Sequence, residues 1–210
     1  MQKTLFFDLD GTLTPHSTWY ELNLLLGITP QEDKALFEKY LAGGIDYRGW
    51  MSALMELYHR GSKLHRDKVV ELAQTLVLHT DAQAVVDAIK EKGYTVVLVS
   101  GAVDIVVQTI AQRLSIDTWF AKTQVVCDTD GYVVDLETST EGERDGKLHF
   151  LESYCTEKGI DPREVYCVGD GGNDLELFKH ARGILLGHNE ELKQFAWKEV
   201  QNLSEIIDLL

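Results

Sequence analysis

Short, continuous apolar runs alternate along this chain with amphipathic segments, and this alternation restricts the fold more than any other feature of the sequence. Continuous apolar runs are typical of strands that are buried on both faces of a parallel sheet. Between them, apolar residues recur every three to four positions, as on one face of a helix. The runs lie at 5–7, 94–99, 165–168 and 183–186, and the helical patterns lie at 82–92, 103–114, 148–158 and 173–180. The sequence therefore predicts an α/β fold with a Rossmann-like parallel sheet that helices cover on both faces.

Residues 16–79 break this alternation, because no convincing strand pattern occurs in them. They contain amphipathic helical patterns that glycines separate, at 22–26, 33–41, 47–59 and 66–76. We predict that this segment is a small helical-bundle cap inserted after the first strand, so that residues 1–15 and 80–210 form the α/β core. A short β-hairpin is also predicted at about 122–136, around the turn sequence Asp128-Thr129-Asp130-Gly131.

The charge and the cysteine content argue against several classes of function. The net charge is −14 at pH 7, and so acidic a surface repels nucleic-acid backbones and anionic membranes. The apolar run at the N-terminus is too short for a signal peptide or a spanning helix. Cys127, Cys155 and Cys167 are too widely spaced to indicate a disulfide framework or a zinc site. We expect a cytoplasmic protein, monomeric or homodimeric, that binds neither nucleic acid nor membrane.

Two pairs of aspartates follow predicted strands. Asp8 and Asp10 come after the first strand, and Asp170 and Asp174 come after the third. Ligand sites in open parallel sheets lie at the carboxyl ends of strands, where the two pairs would meet. Carboxylates this close repel each other unless a cation lies between them, and Mg²⁺ prefers such oxygen ligands. Taken singly, each pair also fits a polar turn with solvated aspartates.

A serine, a glycine and a lysine supply features of an anion site. Ser100 and Gly101 end the second predicted strand just before a helix, where a hydroxyl and backbone amides can bind an anion. Capping of that helix by Ser100 is the other interpretation. Lys147 follows Gly146 at the predicted start of a helix, where the helix dipole disfavours a cation. That conflict suggests a use such as neutralising a phosphate, although a solvated surface lysine is the default.

Together these stretches resemble the four motifs of the haloacid dehalogenase-like superfamily of phosphatases. The matching segments are FFDLDGTL at 6–13, VVLVSG at 96–101, Lys147, and VGDGGNDLELF at 168–178. The helical insertion after the first motif, the hairpin before Lys147 and the GDGGND sequence are similar to the phosphoserine-phosphatase-like branch. The resemblance implies a Mg²⁺-dependent phosphatase that acts on a small phosphorylated metabolite.

The resemblance also implies roles for the acidic residues. Asp8 would be the nucleophile that forms an aspartyl-phosphate, and Asp10 would be the general acid and then the base, held by Thr12. Asp170 would hold Mg²⁺ with the carboxylate of Asp8 and the backbone carbonyl of Asp10, and Asp174 would support that coordination sphere.

On the substrate side, the resemblance implies that Ser100 and the Gly101 amide bind phosphate oxygens, that Lys147 neutralises the phosphoryl group, and that Asn173 is a phosphate-side contact. Ser17 takes the substrate-binding position where true phosphoserine phosphatases carry a glutamate that contacts the amino group. A gapless reading puts Leu54 where they use an arginine for the carboxylate.

These two departures weaken an amino-acid substrate, because a buried ion left unpaired is costly. We therefore expect a phosphomonoester other than L-phosphoserine, although Arg48 or Arg60 could replace the missing cation. The residues that should overhang the site are His16, Ser17, Trp19 and Tyr20. Cap packing is the favoured role of Trp19 and Trp50, and His16 is expected in a solvated loop.

Other functions remain open to different degrees. A phosphoserine phosphatase proper and a phosphotransferase would use the same residues. A silent phosphate-binding regulator would lack the nucleophile or the acid, yet Asp8 and Asp10 are both present. A receiver-type signalling domain would not need the helical insertion. Nucleotide binding is disfavoured because neither GxxxxGK[ST] nor GxGxxG occurs.

Overall fold

The computed structural model describes residues 3–60, 63–138 and 143–210, and it describes no side chains for 143–145. Within these ranges one seven-stranded sheet has the order β4-β3-β2-β1-β5-β6-β7. Neighbouring strands are parallel, except that β4 runs antiparallel to β3. The strands are β1 Lys3–Phe7, β2 Tyr94–Val103, β3 Thr118–Cys127, β4 Val133–Thr138, β5 Tyr166–Gly169, β6 Arg182–Leu186 and β7 Ala196–Val200.

The central strands are buried on both faces, which explains their continuous apolar sequences. Leu5 and Phe7 of β1 belong to the apolar cluster on one face of the sheet, and Phe6 belongs to the cluster on the other. In β2, Val96 and Val97 face opposite sides in the same way. The prediction of a Rossmann-like parallel sheet is therefore confirmed.

Helices cover both faces of this sheet and fill the segment inserted after β1. Within the described residues no helix is both long enough and apolar enough to span a lipid bilayer. The helices are α1 Thr18–Leu25, α2 Pro30–Leu41, α3 Tyr47–Tyr58, α4 Arg66–Thr75, α5 Ala82–Glu91, α6 Asp104–Arg113, α7 Glu143–Lys158, α8 Leu175–His180, α9 Glu190–Lys193 and α10 Glu205–Leu209.

We refer to residues 16–79, which contain α1 to α4, as the cap segment. Its helices begin at well-formed N-caps: Thr29 and Glu32 form a capping box at α2, and Asp46 accepts a hydrogen bond at the start of α3. Trp19 and Trp50 are buried with their ring centroids 5.5 Å apart, so their expected packing role is confirmed. The apolar residues of the cap segment are continuous with one face of the sheet.

Three regions differ from the sequence prediction. The hairpin is present, but β3 begins at Thr118 and also pairs in parallel with β2, so it belongs to the main sheet. Its first residues are only half-buried and include polar groups, which hid the strand pattern. The edge strand β7 was not predicted either, because an edge strand needs no continuous apolar sequence. Finally, α7 begins at Glu143, earlier than predicted, so that Gly146 and Lys147 lie inside the helix.

Candidate active site

The pairing of β1 with both of its neighbours brings the predicted motifs to one edge of the sheet. Phe7, the last residue of β1, lies opposite Leu98 of β2 and Val168 of β5. The next residue, Asp8, donates its backbone N–H to the Val168 carbonyl at 3.0 Å. Ser100 and Asp170 each follow two residues after the partners of Phe7, so the first, second and fourth motifs end side by side.

A buried ion cluster lies at this edge. Carboxylate oxygens of Asp8, Asp170 and Asp174 all lie within 4.8 Å of one another. The Lys147 ammonium lies 2.7 Å from Asp8 Oδ1 and 2.6 Å from Asp174 Oδ1. Asp8, Asp174 and Lys147 are each at most 2% exposed, and Asp170 is half-buried. The four residues come from three distant stretches of chain.

The surroundings of Lys147 rule out the solvated surface lysine that the sequence left open. Because α7 begins four residues earlier, Lys147 lies in the helix interior and not at the helix N-terminus. Burial lowers its pKa, but the carboxylates of Asp174 and Asp8 outweigh burial and hold the pKa above its usual value. Lys147 is therefore a permanently charged group inside the cluster.

Two carboxyl groups of the cluster have pKa values above the usual value of an aspartate. Burial and the neighbouring Asp174 raise the pKa of Asp8 well above 3.8, against the opposing effect of Lys147. Burial and Asp174 also raise the pKa of Asp170 to about 6. Both shifts have the direction that low dielectric and like charge produce.

These residues fit a divalent cation. Three carboxylates face one ammonium, which leaves an excess of negative charge at the cluster. Asp8 Oδ2 is buried and has no hydrogen-bond partner among the described residues. The side-chain ligand atoms that this cluster offers are carboxylate oxygens, and Mg²⁺ prefers oxygen ligands to softer nitrogen or sulfur ligands.

Two glycines allow the acidic side chains to lie this close to the backbone. A Cβ added to Gly11 would lie 2.2 Å from Asp170 Oδ2, and a Cβ added to Gly169 would lie 2.3 Å from Asp174 Cγ. Gly11 also has a φ of +77°, in the left-handed region. No other residue type fits either position without displacing a carboxylate.

Asp10 lies beside the cluster and is held by the cap segment. Its Oδ1 accepts the Thr18 backbone N–H at 3.0 Å, and its Oδ2 accepts the Thr18 hydroxyl at 3.1 Å. Burial raises its pKa to about 6, although the hydrogen bonds from Thr18 act in the opposite direction. The Asp10 carboxylate is not among the three that approach one another, and a metal contact through its backbone carbonyl stays a prediction.

The expectation that Thr12 holds Asp10 is wrong. The Thr12 hydroxyl donates to Asp170 Oδ1 at 3.3 Å, and Thr18 takes the position beside Asp10. Because Thr18 is the first residue of α1, its N–H has no partner inside the helix and is available to a carboxylate. No signal in the sequence pointed to this contact, because Thr18 lies four residues before the helical pattern predicted at 22–26.

Ser100 and Gly101 lie at the end of β2, where a bulge interrupts its pairing with β3. Ser100 does not cap α6, since the N-cap residue is Val103 and makes no side-chain capping bond. Instead, the buried Ser100 Oγ accepts the backbone N–H of Ala102 at 3.0 Å. The Ser100 hydroxyl therefore keeps its own proton for another acceptor.

The remaining predicted residues lie outside the ion cluster. Asn173 is half-buried in the 3₁₀ turn Gly172–Asp174. Ser17 is exposed and caps α1. Leu54 is 1% exposed within the apolar core. Arg60 forms an exposed ion pair with Glu32 at 2.9 Å.

The cap-segment residues that were expected near the substrate differ in exposure. Tyr20 is half-buried, whereas His16 and Arg48 are exposed. His16 is thus in the solvated loop that the sequence indicated. Arg48 lines a surface groove between α3 and β4 together with Asp135 and Glu137.

Comparison with known proteins agrees with this geometry. The family model of the haloacid dehalogenase-like hydrolases matches residues 2–182. A phosphoserine phosphatase of Methanocaldococcus jannaschii is 28% identical over 183 residues, which cover 86% of this chain and 82% of that protein. One from a Polaromonas species is 30% identical over 184 residues, which cover 85% and 76% of the two chains.

Solved structures give the same result. A phosphoserine phosphatase solved as a phospho-aspartyl intermediate analogue superposes with a TM-score of 0.83 at 27% identity and covers 100% of this chain and 99% of its own. The chain described here therefore belongs to the haloacid dehalogenase-like hydrolases, in their phosphoserine-phosphatase-like branch. It is a phosphatase.

Proposed function

We propose that this phosphatase hydrolyses a small phosphomonoester with Mg²⁺, through a phosphorylated Asp8. The observation that carries the proposal is the buried contact of Asp8 with Lys147, next to two further carboxylates and with Asp8 Oδ2 lacking a hydrogen-bond partner among the described residues. A buried carboxylate oxygen without a hydrogen bond is costly, and a bound cation or an incoming electrophile would relieve that cost.

The metal would be held by the carboxylates of Asp8 and Asp170 and by the backbone carbonyl of Asp10, and Asp174 would support that coordination sphere. When bound, Mg²⁺ would offset the repulsion between the Asp8 carboxylate and the phosphate dianion. Lys147 adds a fixed positive charge on the same side, and its hydrogen bond to Asp174 keeps the ammonium in place.

In the first step an Asp8 oxygen attacks phosphorus while the bond from phosphorus to the ester oxygen breaks. Asp10 donates its proton to that leaving oxygen, and its pKa of about 6 leaves part of the population protonated near neutral pH. Thr18 fixes the direction of the Asp10 carboxyl group. The alcohol then leaves, and the phosphoryl group remains on Asp8.

In the second step Asp10, now ionised, takes a proton from a water molecule that attacks phosphorus. The bond between Asp8 and phosphorus breaks, inorganic phosphate is released, and Asp10 is protonated again for the next cycle. We propose that the Ser100 hydroxyl, the Gly101 N–H and Lys147 bind the phosphate oxygens, and that Asn173 contacts the phosphate from the edge of the site. Splitting the reaction at Asp8 replaces one difficult step with two easier ones.

We also propose that the cap segment selects the substrate and that L-phosphoserine is not its strict substrate. Support comes from Ser17, which is exposed and uncharged, and from Leu54, which is buried among apolar groups. Arg60 is already paired with Glu32. Ser17 therefore offers no anion for the ammonium group of an amino-acid substrate. Leu54 carries no cation for its carboxylate, and the cation of Arg60 already has a partner.

A phosphoserine phosphatase proper is the second candidate, because the similar proteins carry that name. To separate the two candidates, phosphate release is measured from a panel of sugar, amino-acid, lipid-head-group and nucleotide monoesters, with and without Mg²⁺. We expect release to require Mg²⁺, to stop with a chelator, and to be fastest with an ester other than phosphoserine. A clear maximum of kcat/KM for phosphoserine would establish the second candidate.

A further inference from the structure

A contact between the cap segment and the sheet converges on the carbonyl of Gly101. The hydroxyl of Tyr47, the first residue of α3, lies 3.5 Å from Gly101 O and 3.1 Å from Thr123 Oγ1. Thr123 Oγ1 in turn lies 3.4 Å from the same carbonyl oxygen. Tyr47 and Thr123 are both buried, so solvent does not compete for these contacts.

The two hydroxyls form a short relay. When Tyr47 donates to Thr123, Thr123 can donate to Gly101; in the reverse order, Tyr47 itself donates to Gly101. In both orders the pair delivers a hydrogen bond to one carbonyl, and only one of the two contacts with that carbonyl needs to be made at a time.

The peptide unit that receives this bond is also held at its other end. The N–H of Ala102 belongs to the same peptide as the Gly101 carbonyl, and it donates to Ser100 Oγ at 3.0 Å. The relay and Ser100 therefore fix the plane of one peptide from opposite sides. The Gly101 N–H belongs to the preceding peptide, so these bonds limit its direction through the glycine Cα, and they hold the oxygen of the Ser100 hydroxyl directly.

The space above Gly101 is suited to a ligand. A Cβ added at Gly101 would meet no atom within 4 Å, in contrast to the tightly enclosed Gly11 and Gly169. The glycine is thus not explained by a neighbouring protein group. It leaves room for an anion to approach the backbone.

Tyr47 itself is fixed by a cation. The ammonium of Lys122, a fully buried residue of β3, lies 3.5 Å from the centroid of the Tyr47 ring. A desolvated cation over an aromatic face is an attractive contact. The position of the hydroxyl is therefore determined by the sheet as well as by α3.

We propose that Tyr47 and Thr123 are positioning residues that orient the Ser100–Gly101 loop for phosphate, so that phosphate affinity depends on the cap segment being seated on the sheet. The inference rests on the proposed function, because that function assigns phosphate to Ser100 and Gly101. It adds that a residue of the cap segment affects the binding of the phosphate group as well as that of the leaving group.

The test uses Tyr47→Phe, Thr123→Val and the double variant, with the inhibition constant of inorganic phosphate as the main readout. Phenylalanine keeps the ring for Lys122, and each single variant leaves one hydroxyl able to donate to Gly101. We expect about a twofold increase in that constant for each single variant and about tenfold for the double variant, more than the product of the two. Thr123→Ser, which keeps the hydroxyl, should match the wild type.

The matched control is the double variant Tyr58→Phe and Thr109→Val. Tyr58 donates to Asn23 within the cap segment and Thr109 donates to Ile105 within α6, so the control loses two buried hydroxyls away from Gly101. It should lower the melting temperature and leave the inhibition constant of phosphate unchanged.

Two results would overturn the inference. One is an unchanged inhibition constant in the Tyr47 and Thr123 double variant, with only a lower melting temperature. The other is a raised KM for esters without any change in phosphate inhibition, which would give Tyr47 a role at the leaving group alone. If the wild type releases no phosphate from any ester, the proposed function fails, and calorimetric binding of inorganic phosphate with Mg²⁺ still tests the loop.

Discussion

Thr18 donates two hydrogen bonds to Asp10, one from its backbone N–H at 3.0 Å and one from its hydroxyl at 3.1 Å. The bonds reach different oxygens, so they fix the rotation of the carboxyl group as well as its position. Both come from the first residue of α1, which makes the cap segment part of the environment of the proposed acid.

Replacing Thr18 with valine should lower kcat by about tenfold, because the acid loses one of the bonds that aim it. The hydroxyl also lowers the pKa of Asp10, so its loss should move the Asp10 limb of the pH–rate profile to higher pH. Thr18→Ser keeps the hydroxyl and should retain both the rate and the profile. An unchanged profile in Thr18→Val would contradict the assignment of Asp10 as the titrating acid.

Asp8→Asn should abolish turnover and leave the fold intact. The raised pKa of Asp8 already favours a neutral group at this buried position, so the amide should not lower the melting temperature. Asp87→Asn, a change on the exposed face of α5, serves as the control for both measurements. Phosphate release by Asp8→Asn at more than a trace rate would refute Asp8 as the nucleophile.

Gly11→Ala should weaken Mg²⁺ binding by at least about tenfold, because the new Cβ would lie 2.2 Å from Asp170 Oδ2 and push that carboxylate away. Gly93→Ala is a matched control: its φ of +85° imposes the same backbone cost of about 1 kcal/mol, but no atom lies within 4 Å of the new Cβ. Mg²⁺ titrations of both variants separate the two effects. Equal losses in the two would place Asp170 outside the metal site.

Stability without metal should depend on pH in the direction set by Asp8 and Asp170. Their pKa values lie above 3.8 in the folded protein, and that of Asp170 is about 6, so the folded state binds more protons than the unfolded state between these values. The contribution of Asp170 is fully present below about pH 4 and is lost as the pH rises through about 6, and Asp8 acts in the same direction. The metal-free protein should lose the Asp170 part of its stability between about pH 4 and pH 6, measured as the melting temperature across that range.

Mg²⁺ must displace those protons, so its stabilising effect should have the opposite pH dependence. The increase in melting temperature on adding Mg²⁺ should be larger at pH 7 than at pH 5. Asp170→Asn should reduce both the pH dependence and the effect of the metal. A gain of equal size at both pH values would count against a carboxylate site.

The central part of the fold could be predicted because buried parallel strands need continuous apolar residues, and β1, β2, β5 and β6 have them. Parallel strands also place their carboxyl ends at a common edge, which is why Asp8 and Asp170 could be expected to meet. The half-buried start of β3 and the edge strand β7 gave no comparable signal, since neither needs two apolar faces.

The sequence predicts which residues belong to the site better than it predicts which of them contact each other. Whether Thr12 or Thr18 reaches Asp10 depends on the path of the backbone after Gly11, and both threonines are close enough in sequence. Tyr47 and Gly101 are 54 residues apart and meet only because the first residue of α3 reaches the end of β2. Such contacts follow from the packing of the cap segment, which no local pattern encodes.

The apolar residues of the cap segment and of one sheet face form a single cluster, in which Leu22, Trp50 and Leu54 join Leu5 and Phe7. A cap taken from another phosphatase would have to reproduce that shared packing, or it would leave apolar surface of the sheet open to water. Evolution of a new substrate range in this enzyme is therefore easier by exchanging single side chains inside the existing helices than by acquiring a foreign cap as a unit.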